Sequence, residues 1–388
     1  MSPWSPHVYL REAAARRVPE AVSTKALSIA TRSQRRELPA ILTLRHLAFQ
    51  TDTSYEYLRK VVARRHDPYT GFRIGKRSGG FRVIVAVSAE LRAVQRWIVD
   101  RILRVLSRSE VHPASAAYSP GDTPLACARR HVGCRWLLKV DVHRFFESVS
   151  EIDVFRVFHR ASYEPLVAFE LARLCTRLVD NERTWRRLSD SPRWRAAAGR
   201  YSILAYRQPL LGHLPQGAPS SPMLANLVAV GLDNRVQAIA DRNGLVYSRY
   251  SDDLALSTSD RSFTRERARY VLAELHAALG SEGLQANLSK SAIVPPGARK
   301  IVLGLNVDTS APRLPASFKD RLRQHLHFLE KHGPVAHAEA RGFRSVSAMI
   351  AHLYGLIEYA RGVDESFAGA ARKRIDAVVE RHQSDIND

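Results

Sequence analysis

Cysteine is scarce in this chain, and its spacing excludes a disulfide framework. The 388 residues include only Cys127, Cys134 and Cys175, with no CxxC pair and no spacing typical of metal ligands. Because a small, odd number of cysteines is typical of reduced thiols, we expect a cytoplasmic protein. Its stability should then depend on a buried apolar core.

Long apolar runs are also missing. No stretch approaches the ~20 apolar residues of a membrane-spanning helix, and the N-terminus lacks the apolar core of a signal peptide. We expect no membrane partner. The sequence also lacks internal repeats and low-complexity segments, and its 45% hydrophobic and 8% aromatic content is typical of a globular protein.

Acidic residues are too few to balance the basic ones. Lys and Arg number 59 against 38 Asp and Glu, which gives a net charge of +21. Such an excess attracts polyanions, of which nucleic acid is the commonest inside a cell. Residues 177–212 concentrate arginines between Trp185, Trp194 and Tyr201, a pattern that fits either nucleic-acid contact or a solvated insertion.

Two sets of carboxylates stand at predicted strand ends. Residues 245–257 are typical of a β-hairpin with Asp252 and Asp253 at its tip, and a second strand, 136–142, ends at Asp141. An Asp pair in a turn is by itself more often solvated than metal-binding. Carboxylates on neighbouring strands, however, could hold two Mg²⁺ ions for nucleotidyl transfer, Asp141 and Asp252 bridging them and Asp253 assisting.

Other segments have clear local signatures. Residues 69–87 predict two strands around a Gly-rich turn that Lys76 and Arg82 flank. Ser150 starts a capping box, and residues 214–222 form a loop that opens into a helix with Ser221 as its N-cap. Further expectations are helices over 42–63, 91–105, 264–280 and 315–385, and a single short strand within 299–307.

Taken in order, these segments resemble the reverse transcriptases. The similar motifs are Asp141–Val149, Leu-Pro-Gln-Gly-Ala-Pro-Ser-Ser-Pro at 214–222, Tyr-Ser-Asp-Asp at 250–253, and the segment of Lys290. The resemblance covers roughly residues 55–330. Within the family, the chain is most similar to the bacterial branch of retron and related defence-associated, group II intron-like enzymes. This similarity implies a bacterial cytoplasmic enzyme.

The resemblance implies an α+β, right-hand polymerase fold. Residues 41–135 would form the fingers, residues 136–300 a palm of antiparallel sheet plus helices, and residues 301–388 a helical thumb. Residues 1–40 would be a basic N-terminal extension, and residues 177–212 a basic insertion in the palm.

The resemblance also implies roles for single residues. Lys76 and Arg82 would hold the incoming triphosphate, and Gln216 and Gly217 would form the floor beside the new base pair. Phe146 would exclude a ribose 2′-hydroxyl, although the same residue in an unrelated chain would be a core aromatic.

The remaining roles concern the reacting groups. Tyr250 would position the primer end, and Lys290 would protonate the leaving pyrophosphate. Asp141, Asp252 and Asp253 would bind two Mg²⁺ ions together with Val142, which also belongs to the predicted nucleotide-binding set.

Three motif positions depart from the retron pattern. Cys127 stands where the family's Asn-Ala-x-x-His segment has Asn, with Ala128 and His131 retained. The Val-Thr-Gly thumb motif corresponds to residues 302–304, where Leu303 replaces Thr, and the catalytic box has Ser251 rather than Ala. These segments are tied to recognition of the cognate RNA, so the template is left open. His131 by itself fits a capping or packing residue better than a catalyst.

The expected function is therefore RNA-directed DNA synthesis from dNTPs and a primer. The partners implied are a dedicated structured non-coding RNA template, a DNA product or RNA–DNA hybrid, and an effector protein. The expected setting is retron-type antiphage defence. The alternatives are a template-independent or protein-primed DNA polymerase and an RNA-binding scaffold for an effector.

Overall fold

The computed structural model describes residues 5–75, 81–178, 194 and 203–382, with only the backbone for residues 81 and 82. By chain contacts the protein divides into two compact units. The first comprises residues 1–120, 142–236 and 276–287, and the second comprises residues 121–141, 237–275 and 288–388. The predicted division into fingers, palm and thumb follows other boundaries and stays a prediction.

Helices make up most of the described chain. In chain order they are α1 (Pro6–Ala15), α2 (Glu20–Arg35), α3 (Leu44–Gln50), α4 (Tyr55–Val62), α5 (Ala89–Ile98), α6 (Arg104–Glu110), α7 (Pro124–Arg129), α8 (Phe145–Ser148), α9 (Glu151–Arg160), α10 (Pro165–Cys175), α11 (Ser221–Val228), α12 (Val230–Arg242), α13 (Arg265–Ser281), α14 (Ala316–Ala340), α15 (Val346–Arg361) and α16 (Glu365–Arg381).

The strands are short and pair antiparallel. They are β1 (Tyr69–Gly75), β2 (Phe81–Val87), β3 (Trp136–Asp141), β4 (Val246–Tyr250), β5 (Asp253–Thr258), β6 (Ala292–Val294), β7 (Ile301–Val302) and β8 (Leu305–Asn306). β1 pairs with β2, β7 pairs with β8, and the four-stranded sheet has the order β4-β5-β3-β6.

Helix starts in the first unit follow local capping chemistry. The hydroxyl groups of Thr43, Ser54 and Ser88 accept hydrogen bonds from backbone N–H groups of the first turns of α3, α4 and α5. Ser150 and Asp153 form the predicted capping box at the start of α9. These caps fix where each helix begins, while the buried apolar faces decide how the helices pack.

The four-stranded sheet belongs to the second unit. Its central strand, β3, is almost entirely buried and carries the apolar run Trp136-Leu137-Leu138 before Asp141. β5 pairs with β3 along its whole length, so that Asp141 faces Asp253. This register matters because it brings the carboxylates of two strands to one end of the sheet.

The C-terminal helices α14, α15 and α16 form the end of the second unit. Leu322, Leu326 and Leu329 of α14 are buried, as the helical spacing predicts. Gly333 has φ 79° and interrupts α14 immediately before Pro334, which produces a kink.

Three local predictions are wrong. The N-cap of α11 is Ser220 rather than Ser221, because the Ser221 hydroxyl donates to the Pro215 carbonyl oxygen at 2.7 Å. Residues 301–306 form a hairpin, not one strand, because Leu303 and Gly304 have φ values of 48° and 82° and reverse the chain.

The third correction concerns residues 91–105. The predicted single helix is interrupted by a π-helical turn at Val99–Leu103, between α5 and α6. The apolar side chains keep their inward direction, since Ile98, Ile102 and Leu103 remain fully buried.

No helix in the described part of the chain is long and apolar enough to cross a lipid bilayer.

Candidate active site

The turn of the β4–β5 hairpin carries Asp252. Tyr250 pairs with Asp253 across the hairpin, and Ser251 adopts a left-handed conformation with φ 59°. The guanidinium of the fully buried Arg249 donates to the Ser251 carbonyl oxygen at 3.1 Å. This contact holds a turn that a non-glycine residue adopts at an energetic cost.

The sheet register brings Asp141 and Asp253 together. Residues paired across antiparallel strands point their side chains to the same face. Asp141 pairs with Asp253, and Asp252 is its neighbour in the turn. The three carboxylates predicted from distant parts of the sequence therefore lie at one end of the sheet.

Lys290 reaches this carboxylate set. Its ammonium Nζ donates to Asp141 Oδ2 at 2.6 Å. This hydrogen bond, together with the charges of Asp252 and Asp253, raises the pKa of Lys290. The side chain is therefore a cation at neutral pH, paired with a carboxylate that is almost completely buried.

The carboxyl groups of Asp252 and Asp253 are poorly stabilised as anions. Burial raises the pKa of both groups. The negative charge of Asp141 raises the pKa of Asp252 further, and that of Asp252 raises the pKa of Asp253 further. Lys290 opposes the shift at both positions, and Lys139 does so for Asp253. The local charge balance leaves an excess of negative charge.

The donor chemistry fits divalent metal ions. Three buried or half-buried carboxylates offer the hard oxygen ligands that such ions prefer, and a lysine ammonium already occupies one of these oxygens. In the described residues, however, no group of three or more His, Cys, Asp or Glu side chains is already arranged around a cation position. A metal ion at Asp141 Oδ2 would compete with the Lys290 ammonium, and the metal set including Val142 remains a prediction.

Val142 and Phe146 belong to the first unit. The Val142 side chain is buried, and its backbone forms a bridge with Ala286. Phe146 is half-buried, with its ring centroid 6.5 Å from that of Tyr118 and 5.8 Å from that of Phe145. Phe145 fills the core, which leaves Phe146 as the more accessible of the two aromatic residues.

The Leu-Pro-Gln-Gly loop is fixed against β2. The Gln216 carbonyl oxygen accepts a hydrogen bond from the Val85 N–H at 2.8 Å. Gly217 has φ 114°, and a Cβ at this position would lie 2.6 Å from the Val85 carbonyl oxygen. Glycine is required here by both the backbone conformation and the close approach of a second backbone.

The residues that hold the start of this loop were not predicted. The buried carboxylate of Glu151 accepts hydrogen bonds from Arg64 at 2.7 Å, from Arg173 at 2.8 Å and from the Gly212 N–H at 3.0 Å. Burial alone would raise the pKa of Glu151, but the two guanidinium groups lower it overall. Nothing in the local sequence links these residues, since 87 positions separate Arg64 from Glu151.

Some predicted positions lie outside the described residues. These are Lys76 and, within the insertion 177–212, residues 179–193 and 195–202. For Arg82 the backbone is placed in β2, opposite Ile74. Their predicted roles stay predictions.

An α+β fold whose sheet gathers Asp141, Asp252 and Asp253 with a lysine cation fits a polymerase of the nucleotidyl-transfer class. Residues 74–307 match the family model of the reverse transcriptases, RNA-dependent DNA polymerases. The chain belongs to this family and is an RNA-directed DNA polymerase. The predicted fold class and family resemblance are thereby confirmed.

Curated relatives point to the same branch of the family. The retron Ec86 reverse transcriptase of Escherichia coli is 29% identical over 329 residues, covering 84% of this chain and 86% of the relative. The retron Mx65 reverse transcriptase of Myxococcus xanthus is 33% identical over 315 residues, covering 79% of this chain and 64% of the relative. The chain thus spans slightly less than two thirds of the Mx65 enzyme.

Among solved structures, telomerase from Candida albicans has a similar chain. The two are 13% identical with a TM-score of 0.40, over 82% of this chain and 64% of the telomerase chain.

Proposed function

We propose that the protein copies a dedicated structured non-coding RNA into DNA with two Mg²⁺ ions, as part of a retron-type antiphage system. The observation that carries the chemistry is the register of Asp141 against Asp253, with Asp252 in the adjoining turn and Lys290 bonded to Asp141. The setting is supported by the retron enzymes among the curated relatives.

Asp141, Asp252, Asp253 and the Val142 carbonyl oxygen are the proposed ligands. When bound, the ions lower the pKa of the primer hydroxyl and stabilise the charge that develops on the phosphate oxygens. In the reaction the primer hydroxyl gives up its proton to solvent, its oxygen forms a bond to the α-phosphorus, and the bond from that phosphorus to the pyrophosphate oxygen breaks.

Lys290 is the proposed proton donor to pyrophosphate. Its raised pKa keeps the ammonium protonated until the leaving group accumulates negative charge. Because Lys290 and a metal ion would compete for Asp141 Oδ2, the Lys290 ammonium would be free to donate to the leaving group when Asp141 holds an ion.

The nucleotide is selected by residues outside this carboxylate set. We propose that Lys76 and Arg82 bind the triphosphate, that Gln216 and Gly217 form the floor of the nascent pair, and that Phe146 excludes the 2′-hydroxyl. Tyr250, half-buried at the end of β4, supports the primer end.

The test is extension of a DNA primer on an RNA template by the purified protein. Wild-type protein should extend with Mg²⁺ and stop when EDTA is added, and Asp252→Ala should reduce the rate by at least about 10³-fold. Asp260→Ala is the matched control, since Asp260 is an exposed aspartate two residues beyond β5. Equal rates for Asp252→Ala and wild type would refute the proposed chemistry.

Two measurements, RNA binding and the need for an RNA template, separate the polymerase from the alternative functions. A scaffold would keep its cellular activity in Asp252→Ala with RNA binding intact, whereas a polymerase would lose activity while binding persists. DNA synthesis without added RNA would indicate a template-independent or protein-primed enzyme. Sequencing of the nucleic acid that co-purifies with the protein should identify one dominant structured RNA joined to or paired with its DNA copy.

A further inference from the structure

A buried histidine connects the two strands of the Asp252–Asp253 hairpin. His131, two residues after α7, is only 1% exposed. Its Nε2 lies 2.6 Å from Ser248 Oγ on β4, and its Nδ1 lies 2.7 Å from Ser257 Oγ on β5. Both serines are also fully buried, so each hydroxyl depends on a protein partner.

The protonation state of the ring fits this bridging position. Burial, assisted by the charge of Arg130, lowers the pKa of His131 to about 4. A neutral imidazole has one N–H donor and one bare nitrogen acceptor, so one serine accepts from the ring while the other donates to it. Both ring nitrogens are thus used, and an apolar replacement would leave two buried hydroxyl groups without these hydrogen bonds.

A second side chain from the same segment reaches the same strand. Cys127 Sγ lies 3.3 Å from Ser248 Oγ, and the thiol is buried. Position 127 is one where this chain departs from the retron pattern, since Cys replaces Asn there. The side chain that replaces Asn therefore contacts β4 directly.

The serines share a face with the reacting groups. Side chains alternate along a strand, so Ser248 and Tyr250 of β4 point to the same face as Asp253 and Ser257 of β5. Ser248 lies two residues before Tyr250, and Ser257 lies four residues after Asp253. A tie between the two serines consequently fixes the register and twist that place Tyr250 and Asp253.

We propose that His131 is a positioning residue for DNA synthesis, which acts by holding β4 and β5 in the register that presents Tyr250 and Asp253. The inference rests on the polymerase activity of the proposed function and adds a role that the sequence interpretation, a packing or capping residue, did not include. It also assigns the Cys127–His131 segment to the catalytic hairpin instead of to RNA recognition.

The test compares three substitutions at His131. His131→Leu removes both hydrogen bonds, His131→Gln keeps an amide at the position of Nε2 for Ser248, and His131→Asn keeps one at the position of Nδ1 for Ser257. The matched control is His46→Leu, because both ring nitrogens of His46 are also hydrogen-bonded, to Leu42 and Gln50, in another part of the fold.

The substrate is poly(rA) annealed to an oligo(dT) primer, with dTTP and Mg²⁺, and rates are expressed per folded molecule. We expect kcat of His131→Leu to fall about 10- to 100-fold, since small displacements of reacting groups have effects of this size. KM for dTTP and the Kd for the primer–template should stay within about twofold of wild type. His131→Gln or His131→Asn should recover part of the loss, and His46→Leu should retain kcat.

Two results would overturn the proposal. An unchanged kcat per folded molecule together with a lowered melting temperature would make His131 a packing residue only. A weakened Kd with unchanged kcat would assign the segment to nucleic-acid recognition.

Hydrogen exchange tests the role without catalysis. Backbone amides of residues 248–257 should exchange faster in His131→Leu than in wild type, and amides of β1 and β2 should not change. Equal protection of the hairpin in both proteins would contradict the proposal. Inactivity of the wild-type protein on this substrate would instead count against the proposed function, so the two failures are distinguishable.

Discussion

At the scale of single residues, the carboxylates of Asp252 and Asp253 are held in surroundings that disfavour their ionised forms. Burial and mutual repulsion raise the pKa of Asp252 and Asp253, while Lys290 only partly offsets the charge. Such an arrangement costs folding stability and suits a site that must bind cations. Removal of one of these carboxylate charges should consequently raise the stability of the fold and lower the activity.

The first prediction follows from this opposition. Asp252→Asn should be inactive, yet in EDTA at pH 7 it should melt at a higher temperature than wild type, because a buried repelling charge is removed. The folded-state pKa lies above the unfolded value of 3.8, so the penalty grows as pH rises through the folded pKa. The gain in melting temperature should therefore shrink as pH falls toward 4; a gain that is constant with pH would contradict this account.

Phe146 provides the second residue-scale prediction. Phe146→Ala should lower the preference for dNTP over NTP by at least about tenfold, since the proposed barrier to a 2′-hydroxyl is removed. The measurement is the ratio of kcat/KM for dTTP and UTP on one primer–template. Phe155→Ala, which truncates another half-buried aromatic residue, should leave the ratio unchanged. An unchanged ratio in Phe146→Ala would return this residue to the role of a core aromatic.

At the scale of elements, the loop 214–222 is held at two points, just before its start and at its third residue. Glu151 holds the Gly212 N–H, and β2 holds the Gln216 carbonyl oxygen. The buried charges of Arg64 and Arg173 are paired with Glu151, so the loss of this carboxylate would leave two buried cations without their counter-ion. This network explains how a loop rich in Pro and Gly can have a defined conformation.

The third prediction concerns Gly217. Gly217→Ala should destabilise the protein by about 1–3 kcal/mol, because a Cβ would lie 2.6 Å from the Val85 carbonyl oxygen and the φ of 114° is strained for alanine. Chemical denaturation measures the difference. Gly297→Ala is the control: Gly297 also has positive φ, 84°, but no heavy atom lies within 4 Å of the added Cβ. Equal losses in both variants would mean that the contact with Val85 has no effect.

The C-terminal helices give the fourth prediction, on pH. His325 Nδ1 lies 3.0 Å from His337 Nε2 on the two sides of the α14 kink, and burial lowers the pKa of His325 to about 4. Since the folded pKa is below the unfolded value of 6.5, the neutral ring stabilises the fold fully above pH 6.5. This contribution should be lost as pH falls from 6.5 toward 4.

Thermal melts between pH 7 and pH 4.5 measure this effect. The melting temperature of wild type should fall more steeply on acidification than that of His325→Asn, which cannot titrate and can still donate to His337. His327→Asn serves as the control, because His327 is an exposed histidine on the same helix, α14. Identical slopes for wild type and His325→Asn would show that protonation of His325 does not weaken the fold.

At the scale of the whole molecule, the net charge of +21 determines how the protein meets its partners. Excess cations attract RNA, while the carboxylates of Asp141, Asp252 and Asp253 repel phosphate. Charge of this kind sets association rate and salt dependence more than sequence specificity. Specificity for any one RNA would have to come from contacts with its bases and its shape.

The fifth prediction tests this electrostatic contribution. Affinity for a non-cognate RNA should fall by about 10³- to 10⁵-fold between about 50 and 200 mM salt if six to ten phosphates are contacted. Fluorescence anisotropy over a salt series gives the slope. The RNA that co-purifies with the protein should show a smaller relative loss, because base and shape contacts add to its binding. A flat salt dependence would rule out binding driven mainly by charge.

The sequence alone determined the family and the identity of the main chemical groups. Asp141, the Leu-Pro-Gln-Gly loop and Tyr-Ser-Asp-Asp are local patterns, and local patterns also predicted the β4–β5 hairpin, β3 and the capping box of Ser150. These features depend on backbone preferences and side-chain alternation within a few residues, which a sequence displays directly.

Tertiary structure alone decided which distant residues meet. The pairing of Lys290 with Asp141, the Arg64–Glu151–Arg173 network and the bridge from His131 to Ser248 and Ser257 join residues more than 20 positions apart. Such contacts depend on strand register and helix packing, and the cost of burying a polar group without a partner selects among them. For that reason only the tertiary structure shows that His131, which fits a packing or capping residue by its sequence, bridges Ser248 of β4 and Ser257 of β5.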